Sequence, residues 1–174
     1  MADREALLYT FSPEKDKPQR KLEGLAENRF FLQSQFVDQV VVGAGISDDG
    51  GDLFFLLNRG HRDHHMLVRR RRVNRVFDEI RVNYIGKGIG LEKGQTLNPV
   101  TMAFDHQRVR LLVLESQGRL QVFDARLEVK DQYITQWGGF GIGDGEFQIP
   151  VPSSAAMAVD SQGMIYVADG SGRV

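Results

Sequence analysis

Pro152-Ser153-Ser154-Ala155-Ala156-Met157-Ala158-Val159-Asp160-Ser161-Gln162-Gly163-Met164-Ile165-Tyr166-Val167-Ala168-Asp169 lays out one unit of a pattern that recurs earlier in the chain. A short apolar run ends in an aspartate, a polar turn with a glycine follows, and a second apolar run ends in another aspartate. Both runs are too short for a helix and read as strands joined by a tight turn. A second copy is Pro99-Val100-Thr101-Met102-Ala103-Phe104-Asp105, continuing at Leu111-Leu112-Val113-Leu114-Glu115-Ser116-Gln117-Gly118-Arg119-Leu120-Gln121-Val122-Phe123-Asp124. A worn third copy runs from Val42 through Asp48 to the apolar stretch Leu53-Phe54-Phe55-Leu56-Leu57-Asn58. Asp48, Asp105 and Asp160 recur about every 55 residues, a period that belongs to repeat architectures.

Each unit therefore starts with a strand ending in Asp and continues with a strongly apolar strand suited to burial on both faces. A second turn, such as Gly170-Ser171-Gly172, leads to a third strand that opens with Arg and alternates outward. Units of this length built from strands and turns describe propeller blades better than helical solenoids. Between units lie glycine-rich bridges: Ile85-Gly86-Lys87-Gly88-Ile89-Gly90-Leu91-Glu92-Lys93-Gly94-Gln95-Thr96-Leu97-Asn98-Pro99, and Trp137-Gly138-Gly139-Phe140-Gly141-Ile142-Gly143-Asp144-Gly145-Glu146-Phe147-Gln148-Ile149-Pro150. Phosphate-binding loops feed a helix N-terminus. Neither bridge has that spacing or leads into a helix, so both read as turns.

In these residues the sequence resembles the NHL-repeat family, whose units run Trp-Gly-x-x-Gly, Gly-Glu-Phe, Pro, Ala-Val-Asp, Gly, Ile-Tyr-Val-Ala-Asp, Arg-Val. The match spans about Val37 to Val174 and is closest in the last unit. The middle unit has Arg108 where the turn glycine is expected and Glu115 for the second Asp; the first unit lacks the Ala-Val-Asp ending. The resemblance implies an all-β partial propeller over residues 37–174, with about two and a half to three blades of antiparallel strands. Residues 1–36 form an N-terminal extension: Ala6 to Phe11 reads as a strand, Ser12-Pro13 stops it, and Leu22 to Phe36 follows neither period. Rings close with about four to eight blades. The expectation is thus a truncated set, completed by further chain or by a protein partner, with a free monomer the least favoured state.

The chain has 174 residues, 41% hydrophobic and 26% charged, and a net charge of −1, so no overall field draws it to nucleic acid or membrane. With no cysteine, disulfides, thiolate metal sites and cysteine nucleophiles are excluded. No signal peptide or membrane-spanning run is evident, which suggests a soluble cytoplasmic or organelle-facing protein.

Few residues offer chemistry. Asp105 and Asp160 end strands where a carboxylate can accept N–H bonds from the following turn. The spacing of Glu115 with Arg119, and of Asp169 with Arg173, suits locks across the second turn. His61, His64 and His65, beside Asp63, suit either zinc or a polar loop tip. Arg69, Arg70, Arg71 and Arg72, with Arg75, form the one concentrated charge feature. This ribbon suits phosphate or RNA, an acidic protein partner, or plain solvation on an outer strand. No interleaved aromatic residues accompany it for base stacking. Trp137 matches the family's bridge aromatic, and Ser153-Ser154 lacks the glycine frame of a nucleophile elbow. The leading expectation is a non-catalytic interaction or assembly module with no cofactor. RNA binding through Arg69 to Arg75, and part of a metal-dependent propeller hydrolase or lyase, are the alternatives that the resemblance implies.

Overall fold

A computed structural model describes residues 5–7, 29–31, 40–46, 52–58, 66–73, 76–126, 131–150 and 155–173. These residues are all-β, with no helix, and every strand pairing within the sheets is antiparallel. No helix among them is long and apolar enough to cross a membrane. Among the described residues twelve strands form four open sheets. β1 (Glu5–Leu7) pairs with β2 (Arg29–Phe31). β3 (Val40–Ile46), β4 (Asp52–Asn58), β5 (Met66–Val73) and β6 (Val76–Ile85) form a first four-stranded meander. β7 (Pro99–Asp105), β8 (Arg110–Glu115), β9 (Leu120–Asp124) and β10 (Tyr133–Trp137) form a second. β11 (Ala156–Val159) and β12 (Ile165–Ala168) form a hairpin.

The second meander is the centre of the molecule because alternation gives it two apolar faces. Leu111, Val113 and Phe123 share one cluster with Phe54 and Leu56 of β4, Ile85 of β6, and Met102 and Phe104 of β7. Leu112, Leu114, Leu120 and Val122 point the other way, onto Met157 and Val159 of β11 and Ile165 and Val167 of β12. Burying one such side chain contributes roughly 1.5–3 kcal/mol, so the two clusters dominate cohesion. Phe54 and Phe104 stack across the first interface, with ring centroids 5.0 Å apart.

The first strands of successive sheets lie side by side, β3 on β7 and β7 on β11. Small residues allow this approach: a Cβ on Gly43 would sit 2.5 Å from Met102 Cγ, inside any real contact.

Three details differ from the sequence expectation. β9 does not alternate outward; all five of its residues are buried, with Gln121 bonded to the buried Glu115 and Asp124 paired with the exposed Arg126. The left-handed turn position after β7 is occupied by Val109 (φ 53), not by Arg108. Gly163 (φ 82) holds the matching place after β11. Arg69, Arg70, Arg71 and Arg72 lie in β5, which is paired on both sides, so the basic ribbon is not an outer strand. Its backbone register sets Arg69 opposite Phe54 and Asn83, with an irregularity between Arg70 and Arg72.

Candidate functional site

The polar chemistry of the described residues gathers where each glycine-rich bridge meets the hairpin that follows it. In the first bridge, Gly90 N–H donates to Thr96 O, Thr96 N–H to Gly88 O, and Gln95 N–H to Glu92 O. In the second, Gly141 N–H donates to Phe147 O, Phe147 N–H to Gly139 O, and Glu146 N–H to Gly143 O. The two loops thus share these three bonds at matching places. Even the side-chain contact is matched: Gln95 Oε1 accepts from Glu92 N–H at 3.1 Å, and Glu146 Oε2 from Gly143 N–H at 2.9 Å.

An arginine from the next hairpin seals each loop. Arg119 holds Glu115 with Nε and Nη2, at 2.8 and 2.7 Å, and donates to the carbonyls of Gly90, Leu91 and Gln95. Arg173 holds Asp169 at 3.1 Å and donates to the carbonyls of Ile142, Gly143 and Glu146. Reach to the preceding bridge is absent from the sequence expectation, which paired each arginine only with its own turn. The signal lay in the matched position of Arg119 and Arg173, each one residue after a turn glycine. Gly118 needs to be glycine: at φ 75, a Cβ would fall 2.2 Å from Gly139 O.

Glu115 is fully buried. Burial pushes its carboxyl above the usual range, against the opposing pull of Arg119 and Gln121. Gln121, also fully buried, completes the cluster: its amide donates to Gln95 O (2.6 Å) and Glu115 Oε1 (2.7 Å), and its oxygen accepts from Gly94 N–H (3.1 Å).

The aspartates at strand ends behave differently. Asp160 accepts N–H bonds from Met164 and Gln162 (2.9 and 2.8 Å) and a Tyr166 O–H bond at 3.0 Å. These donors, Met164 foremost, hold its carboxyl below the ordinary range, and Asp160 in turn pushes the Tyr166 phenol up. Asp169 is held well below that range, first by the Ser171 hydroxyl and then by Gln148 N–H at 2.9 Å. Asp124 is lowered chiefly by Arg126, which it binds through both carboxylate oxygens. Asp105 accepts from Arg108 N–H and Nη1, each at 3.1 Å.

A pH dependence follows from these directions. A carboxyl whose folded pKa is lowered contributes stability above its unfolded value and loses it as pH falls through the folded one. Asp124, Asp160 and Asp169 should therefore stay ionised through the ordinary aspartate range, and acidification should weaken their turns only below it. Carboxyl-carbon NMR titration checks this; Asp160 or Asp169 titrating at or above the ordinary aspartate value would contradict the assignment.

Trp137 closes β10 and is 40% exposed, lining a groove beside the last hairpin rather than lying buried between sheets. His61, His64, His65, Arg75, Ser153 and Ser154 lie outside the described residues. Among the described residues no group of three or more His, Asp or Glu side chains is placed to hold a metal. A scan against protein-family models gives no match for this chain, and no curated protein matches it.

Proposed function

We propose that this chain is a non-catalytic assembly module whose sheets are successive NHL-like propeller blades, and that it works by taking a further β-layer against its last hairpin. The blade reading is supported by the side-by-side packing of β3, β7 and β11 and by the matched bonding of the two bridges. The observation that carries the function is a difference in cover. Leu112, on the far side of β8 from the first sheet, is 2% exposed because β11 and β12 lie over it. Tyr166 stands at the matching place on β12, one residue before Val167 as Leu112 is before Val113, and is 48% exposed. Ala156 and Ala158 share that open face, and Met164 at its border is 58% exposed. A contiguous apolar sheet face of this kind marks an association surface.

Light scattering across a concentration series tests the proposal. The chain should self-associate or bind a β-rich partner through this face, and Tyr166→Asp should leave it monomeric. A wild-type chain that stays monomeric and is indistinguishable from Tyr166→Asp in every binding assay would refute it.

A further inference from the structure

We infer that Asp144–Gly145, at the tip of the second bridge, is a site of spontaneous aspartyl isomerisation, where the backbone reroutes through the Asp144 side chain and loosens the bridge. The inference is independent of the assembly reading above. It concerns a covalent change that the fold permits at one Asp–Gly dipeptide and blocks at another.

The chemistry needs only the two residues and water. Glycine has no side chain to shield its amide, so the Gly145 nitrogen can attack the protonated Asp144 carboxyl carbon. An N–C bond forms, the C–O bond breaks and water leaves, closing a succinimide. A second water then opens the ring at either carbonyl. One opening restores aspartate; the other gives isoaspartate, whose link to Gly145 runs through Cβ and Cγ and whose α-carboxylate is free. No oxidant or reductant enters, and the final mass is unchanged. Reactivity therefore depends on whether the carboxyl and the amide after it are already engaged.

The sequence has three Asp–Gly dipeptides, at Asp49, Asp144 and Asp169, the first outside the described residues. At Asp169 both reacting groups are tied. Its Oδ2 accepts from Gln148 N–H at 2.9 Å and from Arg173 at 3.1 Å, and its Oδ1 from Ser171 N–H and the Ser171 hydroxyl. The Gly170 N–H donates to Gln148 O at 2.7 Å. Asp160, which precedes the small Ser161, is held the same way by Gln162, Met164 and Tyr166.

Asp144 is the opposite case. It is exposed, and among the described residues nothing bonds or pairs with its carboxylate. With Gly145 it forms the centre of a tight turn closed by Glu146 N–H on Gly143 O. Gly145 takes the third turn position at φ 74, and the closing bond leaves its own amide out of the turn. Exposure here belongs to the repeat: Lys93, at the matching place in the turn from Glu92 to Gln95, is exposed as well. The consequence falls on Arg173, which donates to Ile142 and Gly143 before the dipeptide and to Glu146 after it. Isoaspartate lengthens the main chain between these carbonyls by one carbon and so pulls the seal apart.

The full chain, aged in warm, mildly acidic buffer, tests this. Cleavage after glutamate places Asp144 in the peptide Val129–Glu146, and Asp160 and Asp169 in Phe147–Val174. Isoaspartate in each is read by methyl transfer from labelled S-adenosylmethionine with an isoaspartyl carboxyl methyltransferase. It should accumulate in Val129–Glu146 about tenfold or more faster than in Phe147–Val174, since opening the bonds around Asp169 costs at least that factor. The same chain aged in urea should bring the two rates together. Asp144→Lys, which copies the first bridge, should abolish the signal in Val129–Glu146 without loss of fold, separating Asp144 from Asp131 on the same peptide. Equal native rates in the two peptides, a signal that survives Asp144→Lys, or isoaspartate in Val129–Glu146 only in urea would each overturn the inference.

Discussion

Arg119→Met is expected to destabilise the protein by about 3–5 kcal/mol at neutral pH, the usual cost of breaking a buried ion pair from one side. Among the described residues Arg119 is the only cation paired with Glu115, whose side chain has no exposure, and it also satisfies three carbonyls of the first bridge. Without it, Glu115 keeps only the Gln121 amide among its side-chain partners. The sign of the pH dependence distinguishes this from simple loss of packing. Glu115 already has a folded pKa above its unfolded value, so its contribution is fully present below the unfolded value and is lost as pH rises through the folded one. Removing Arg119 leaves burial less opposed and moves the folded value further up. The deficit of Arg119→Met should therefore shrink as pH is lowered toward the carboxyl range. Glu115→Gln in the same background should recover part of the loss at neutral pH. Urea unfolding at several pH values reads all of this; a pH-independent loss under about 1 kcal/mol would show that the pair does not hold the bridge.

Phe123→Ala should cost a similar amount, about 3–5 kcal/mol, by the transfer and cavity terms of a large buried aromatic. Phe123 has no exposure, meets the Tyr133 ring edge-on at 6.4 Å, and belongs to the cluster that joins the first two sheets. Because that cluster draws on both sheets, the variant should weaken them together and keep a single unfolding transition. Thermal unfolding followed by calorimetry would show this; separate transitions for the two sheets would mean that the interface is not shared.

Much of this architecture is legible in the sequence, for a physical reason. A strand buried on both faces must be apolar at every position, so Leu111 to Leu114 announce themselves, and a turn after an aspartate with a nearby glycine is a local signal. The Glu115–Arg119 and Asp169–Arg173 pairs are local as well, four residues apart. What stayed hidden is non-local. That Arg119 reaches Gly90 and Gln95, and Arg173 reaches Ile142 and Glu146, depends on how a bridge folds over the next hairpin. Gln121 reads as an outward polar residue until its three partners come together. Val109 in a left-handed turn could not be foreseen, since a β-branched residue is the wrong prior for that conformation. The basic residues of β5 look like an exposed edge only while the pairing of β6 on its far side is unknown.

β8 has neighbours in every direction: β7 and β9 along its edges, the first sheet against one face and the last hairpin against the other. Any partial opening of the molecule can peel away β12 or the first sheet while β8 stays covered by what remains. Its amide hydrogens therefore become accessible only when the whole fold lets go, whereas β12 is paired along one edge alone among the described residues. Among the described strands, β8 is thus the last to give way and sets the resistance of the fold as a whole.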